Sequence, residues 1–172
     1  MVDPVSKLSA AAAIPDATAT TLERIIWSRW IAYFGVPQEL LSDQGRNVDG
    51  TQIRKLCAKL GIKKLRSSPY HPEGNSNVER TIGTLKTIIR SICCSRQMPV
   101  TDWDLVLPES VLTSNNMENK SRQFAPFKTV YGLDGRLPVD NYMGLNSMGS
   151  KVDTKTVQEN ARLNQIEEKT GL

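Results

Sequence analysis

An α/β architecture, a mixed sheet flanked by helices, is predicted by three features of the sequence. Short apolar runs alternate with longer stretches whose apolar residues recur at helical spacing, the pattern of strands interleaved with helices. Turn residues fall where one period gives way to the next, at Pro15, Gly35, Pro37, Gly61 and Gly132. The chain of 172 residues, 39% hydrophobic and 23% charged, is long enough to bury a sizeable core.

The elements follow in order. Val5 to Ile14 is small and apolar and closes on Ile14-Pro15-Asp16, which suits a strand ending in a turn. Thr20-Thr21-Leu22-Glu23 is a capping box, and Leu22, Ile26, Trp30 and Tyr33 or Phe34 continue a helix until Gly35 and Pro37 stop it. Trp27 and Trp30 are expected in the core, with base stacking as the alternative. Gln38 to Asp43 reads as a short strand. Thr51 to Leu60 is an amphipathic helix ended by Gly61, with Cys57 on its apolar face, and Ile62 to Ser68 is a basic strand.

Pro69 to Asn77 is a polar loop with two prolines and a glycine. A helix is signalled from Asn75 or Ser76, with Val78, Ile82, Leu85, Ile88 or Ile89, and Ile92 as its buried stripe. Asp102-Trp103-Asp104 opens a further helix in which Pro108 predicts a kink or a break. Pro126 to Tyr131 reads as a short helix between Pro126 and Gly132. Residues 1–140 are expected to form the compact core, and 141–172 a polar linker with a weakly anchored helical tail.

Composition narrows the function. No run of eighteen apolar residues exists, and Leu8 to Ile14 lacks the basic flank of a signal peptide, so neither a membrane span nor secretion is expected. Cys57, Cys93 and Cys94 without such a signal predict buried thiols in a reducing compartment, nuclear or cytoplasmic. The single histidine leaves no usual His/Cys zinc set. The net charge is +4, but between Arg54 and Arg96 ten basic residues face only Glu73 and Glu79. A polyanion is the partner such a distribution predicts, against the plainer alternative of a solvated basic face.

Two stretches carry the chemistry. Ser42-Asp43-Gln44-Gly45-Arg46-Asn47 puts a carboxylate at the end of a strand, where open α/β sheets bind ligands. His71-Pro72-Glu73-Gly74-Asn75-Ser76-Asn77-Val78-Glu79-Arg80 puts a second one, Glu79, near a helix start, with 35 residues between it and the first. Carboxylates meeting at a sheet-helix junction can hold a hard divalent cation. Lys86 and Arg90 fall on the same helix face as Glu79, so phosphates could lie beyond the metal. A capping Glu with solvated cations remains the alternative for that helix.

The ordered set of motifs resembles the integrase catalytic core of retroviruses and long-terminal-repeat retrotransposons, nearest the gypsy type, within the DDE polynucleotidyl-transferase group. It is carried by Trp30 to Pro37, Ser42 to Asn47, Leu60 to Lys64, Ser68 to Asn75, Val78-Glu79-Arg80, Ala125-Pro126-Phe127 and Val130-Tyr131-Gly132. The resemblance implies a ribonuclease H-like fold and two-metal transfer of DNA strands with Mg2+ or Mn2+. It makes Asp43 the second and Glu79 the third of three metal-binding catalytic carboxylates. The first is expected on a strand preceding Met1, because Asp3 matches a segment after that strand, so the core is expected to be N-terminally truncated and inactive alone.

The resemblance also implies that Tyr70 and Asn75 contact element-end DNA, that Arg46 and Asn47 approach target DNA, and that Lys86 binds a phosphate near the metal. Lys64 and Arg90 join this nucleic-acid set through the basic strand and helix face. Two departures stand out: Val48 replaces a usual Phe, and Thr81-Ile82-Gly83 replaces an aromatic-Asn-Arg run. DNA is the expected partner and a second copy of the chain a further one, with no membrane and no small-molecule substrate. The alternative is a non-catalytic DNA-binding or assembly module derived from such an integrase.

Overall fold

The computed structural model describes residues 1–45, 47–67, 73–118 and 124–138, with only the backbone of 73–75. The chain divides into two compact units, Met1–Ser114 and Asn115–Leu172. The expected tail over 141–172 lies outside the described residues.

The first unit is mixed α/β. Its order is α1 (Ala19–Ile26), a π-helical segment (Trp27–Ile31), α2 (Ala32–Phe34), β1 (Glu39–Ser42), α3 (Thr51–Leu60), β2 (Lys63–Arg66), α4 (Glu73–Ser95), a 3-10 turn (Val100–Asp102) and α5 (Trp103–Asn116), whose last residues enter the second unit. Among the described residues the sheet is small: β1 and β2 pair in parallel, with Leu40 beside Lys64 and Leu41 beside Leu65. The second unit contributes α6 (Pro126–Tyr131), stopped by Gly132 in the left-handed region at φ 73°. Proline at its start and glycine at its end are the expected asymmetry.

The strand expected over Val5 to Ile14 is absent. Asp3 accepts hydrogen bonds from the Ser6 backbone N–H and hydroxyl, which folds Pro4-Val5-Ser6 into a turn. Lys7 follows at φ 66°, and only Val2 and Ser9 form an isolated antiparallel bridge. A turn-forming Asx side chain and a proline outweigh the apolar character of the run.

Helix α1 also starts earlier than its capping box suggests. Thr18 is the N-cap, its hydroxyl accepting from the Thr21 N–H at 3.3 Å. Glu23 does not reach back to the helix start, because its carboxylate accepts from Gln52 Nε2 at 2.9 Å and ties α1 to α3. Asp16 completes the cap by accepting from the Thr18 N–H and from the Thr18 and Thr21 hydroxyls. Those bonds, the Thr18 backbone one foremost, hold the Asp16 carboxyl below its ordinary value. A depressed carboxyl stabilises the fold above its unfolded pKa and ceases to as pH falls through the folded one. The stability difference between the native chain and Asp16→Asn is therefore expected to be full at neutral pH and to close below about pH 4; urea unfolding across that range measures it.

Two apolar clusters make the core. Ile53, Cys57 and Ile62 are buried together, with Leu22, Ile26, Leu40 and Leu60 packed against them. Ile89, Cys93, Val106 and Leu107 form the other, joining α4 to α5. The buried stripe of α4 is thus Leu85, Ile89 and Cys93, at i, i+4 and i+8. Ile82 is 45% exposed and not part of it, and Trp27, expected in the core, is 42% exposed. Cys57 and Cys93 are buried thiols as expected, whereas Cys94 is exposed. Pro108 does not break α5, which runs from Trp103 to Asn116.

Candidate functional site

Asp43 follows the last residue of β1 and is exposed. Its Oδ1 accepts from the Gly45 N–H at 3.0 Å, and the Gly45 carbonyl in turn accepts from the N–H groups of Val48 and Asp49. An added Cβ at Gly45 would stand 3.0 Å from Asp43 Oδ1, so a small residue suits this turn. The loop is fastened at two further points. Gln44 Nε2 donates to the Ser67 carbonyl just beyond β2, and Asp49 Oδ2 pairs with both Arg54 and Arg66 at 2.9 Å.

Asp49 is the residue that sequence reasoning missed. Its side chain is only 11% exposed, and it joins the loop to the start of α3 and the end of β2. The Arg54 pair is local, five residues on, but the Arg66 pair leaves no local sequence signal, because it exists only after β1 and β2 align.

Glu79 is exposed on α4, and the helix begins at Glu73, earlier than the expected Asn75 or Ser76. Lys86 and Arg90 are exposed too, on the flank of the stripe that buries Leu85, Ile89 and Cys93. Seven- and eleven-residue steps return nearly to the same helix face. Gly83 lies in the interior of α4 with nothing within 4 Å of an added Cβ. Gly83→Ala is therefore expected to stabilise the chain by about 1 kcal/mol, raising the unfolding midpoint by about 2–4 °C; thermal unfolding that shows no rise would contradict an open helical site.

The other predicted residues fall out as follows. Asn47 is exposed in the turn after Asp43. Lys64 is half-buried, its ammonium donating to Ser42 Oγ at 2.6 Å and to the Leu65 carbonyl at 3.0 Å, so it braces the strand that leads to Asp43. Arg46 and Tyr70 lie outside the described residues, as does the side chain of Asn75.

Charge counting overstated the free basic surface. Arg54 and Arg66 pair with Asp49, Lys63 with Glu39 and Arg96 with Glu109. Lys86 and Arg90 make no ion pair with a described residue, which leaves the α4 face as one available cationic surface, beside exposed Lys55 and Lys59 of α3. Burial, foremost, pushes the Cys57 thiol up despite the nearby Lys64 charge, which fits a packing role.

The donors present test the expected metal. Asp43 and Glu79 offer the hard oxygen atoms that Mg2+ or Mn2+ prefers. Among the described residues, however, no group of three or more His, Cys, Asp or Glu side chains stands close enough to hold a metal ion. Among the described residues the donor set is right in kind and short in number for a two-ion centre.

The fold is like that of integrase catalytic core domains, ribonuclease H-like. The chain superposes on the catalytic core domain of BIV integrase with a TM-score of 0.61 at 24% identity, covering 84% of this chain and 87% of that one. It matches the HTLV-2 integrase catalytic core domain in complex with magnesium at 0.59 and 17% identity, covering 74% and 79%. The simian T-cell lymphotropic virus intasome in complex with PP2A regulatory subunit B56 gamma matches at 0.66 and 24%, covering 80% and 48%.

By sequence, the chain is 28% identical over 134 residues to the retrovirus-related Pol polyprotein from transposon 412 of Drosophila melanogaster. It is 30% identical over 127 residues to the Pro-Pol polyprotein of simian foamy virus type 1. These matches cover 78% and 74% of this chain and 11% of each relative, so the chain spans about a tenth of their length. No protein-family model matches. The chain is homologous to retroviral and retrotransposon integrase catalytic cores.

Proposed function

We propose that this chain is a DNA-binding integrase-core polypeptide that acts in the context of DNA integration and does not join DNA strands on its own. The observation that carries the reading is the α4 face. Glu79, Lys86 and Arg90 are all exposed there, on a helix whose adjoining face is anchored in the core. Unpaired cations at helical spacing suit a phosphate backbone, which recognises charge and position more than sequence.

Asp43 and Glu79 are the residues that would hold Mg2+ or Mn2+. When bound, such an ion would supply charge stabilisation at a phosphodiester and activation of an attacking oxygen. Two exposed carboxylates fall short of a centre for two ions, so the joining step is not assigned to this polypeptide. Tyr70, Asn75, Arg46 and Asn47 are the further proposed DNA contacts, and Lys64 supports the end of β1. The cell nucleus or cytoplasm is where such a polypeptide would meet element DNA; among the described residues no helix is long and apolar enough to cross a membrane.

A second reading, an assembly module that brings copies of the chain together, is favoured by exposed aromatic residues on the π segment and α2. Tyr33 is 72% exposed and Trp27 42%. Titrating a labelled DNA duplex against the chain over a series of salt concentrations separates the two. DNA binding predicts a logarithm of affinity that falls linearly with the logarithm of salt and changes little with sequence. A salt-independent or absent signal would overturn it.

A further inference from the structure

We propose that Arg54 and Arg66 form a second phosphate-binding site, and that Asp49 is its built-in competitor, holding the site closed in the native chain. The inference rests on the reading of the chain as a DNA binder and adds the residue that limits how strongly it binds. Three positive features converge on one carboxylate. Arg54 Nη2 donates to Asp49 Oδ2 at 2.9 Å, and Arg66 Nε stands 2.9 Å from the same oxygen. Asp49 also immediately precedes Gly50, the N-cap of α3, which supplies no side-chain cap. The positive end of that helix therefore adds to the two guanidinium groups.

Such a cluster is an anion site by its chemistry, and the carboxylate fills it incompletely. Two guanidinium groups against one carboxylate leave a local excess of one positive charge. The Asp49 side chain is 11% exposed, but those of Arg54 and Arg66 are 51% and 49% exposed, so the arginines can be reached from solvent. Asp49 Oδ1 is buried and has no hydrogen-bond partner among the described residues, so both arginines share the one remaining oxygen. A phosphodiester carries two charged oxygens, one for each guanidinium, and the planar arginine fork matches phosphate geometry.

Asp49 wins in the native chain because it is tethered beside the arginines and acts at high effective concentration. A phosphate of DNA gains the site once the Asp49 charge is removed. Arg54 then keeps its place, since its Nε also donates to the Asp49 backbone carbonyl at 3.0 Å. Asn47, one of the proposed DNA contacts, is exposed two positions before Asp49, so the site continues a surface already proposed to meet DNA.

Affinity of the whole chain for a labelled DNA duplex, read against salt, tests the competition. Asp49→Asn is expected to bind about tenfold tighter at low salt, the scale of charge-assisted hydrogen bonds. Its slope of log affinity against log salt should steepen by about 0.9, one further phosphate. Adding Arg54→Gln and Arg66→Gln to Asp49→Asn should restore the native slope. Glu118→Gln makes the same change in net charge at an exposed residue with no ion pair to a described residue, and should leave the slope unchanged. Asp49→Ser, also neutral, is read beside Asp49→Asn in case one substitution prevents folding.

An unchanged or shallower slope in a folded neutral variant would overturn the site. So would a steeper slope that survives in the triple variant or appears equally in Glu118→Gln. In the native chain, the Arg54 and Arg66 Nε–H resonances should stay in place when DNA is added, and displacement of either would overturn the closed state. A native chain that fails to bind DNA while Asp49→Asn binds would overturn the proposed function and uphold the competitor, so the two failures are distinguishable.

Discussion

Replacing Ile53 with alanine is expected to cost about 2–5 kcal/mol, the range for deleting a buried branched side chain that its neighbours cannot collapse around. Ile53 is 1% exposed and belongs to the cluster that unites α1, α3, β1 and Ile62 just before β2. Leu40 belongs to that cluster and lies three positions before Asp43, so the core that stabilises the fold also fixes the strand that presents the carboxylate. Against a total stability of roughly 5–15 kcal/mol, the loss leaves little margin. Ile82→Ala is the matched control: Ile82 is 45% exposed, and its truncation should stay within about 0.5 kcal/mol. Urea unfolding of both variants reads the difference, and equal costs would mean that α4 buries a different face.

The second large effect is all-or-none. Incubated with a processed DNA end, a target duplex and either Mg2+ or Mn2+, the chain alone is expected to give no joined product. Two-metal phosphoryl transfer needs ligands enough to hold both ions at fixed separation, and the described residues bring no three such side chains together. Metal-dependent joining that vanishes in Glu79→Gln would show that the carboxylates here suffice, and would restore catalysis to this polypeptide.

Much of this was legible because local rules and tertiary structure agree. The α3 helix, its left-handed Gly61 at φ 70°, β1, β2 and α6 all lie where period and turn residues put them. The sequence was misleading where side chains competed with the pattern. Asp3 turned an apolar run into a tight bend, Asp16 and Thr18 took over a cap assigned to Thr20, and Glu23 was drawn away to Gln52.

The site divides in the same way. The positions of Asp43 and Glu79 on a strand end and a helix were readable from the motifs. The pairing of Arg66 with Asp49 was not, since it depends on which residues the parallel register aligns. Nor did helical periodicity reveal that Ile82 faces outward, because several apolar residues of α4 compete for the buried stripe.

The account rests on the α4 face as the surface that meets DNA, and the direct measurement is duplex affinity against salt for the native chain and for Lys86→Gln with Arg90→Gln. Removing two phosphate contacts is expected to weaken binding across all sequences and to reduce the slope of log affinity against log salt by about 2, near 0.9 per contact. An unchanged slope and affinity in a variant that remains folded would contradict it.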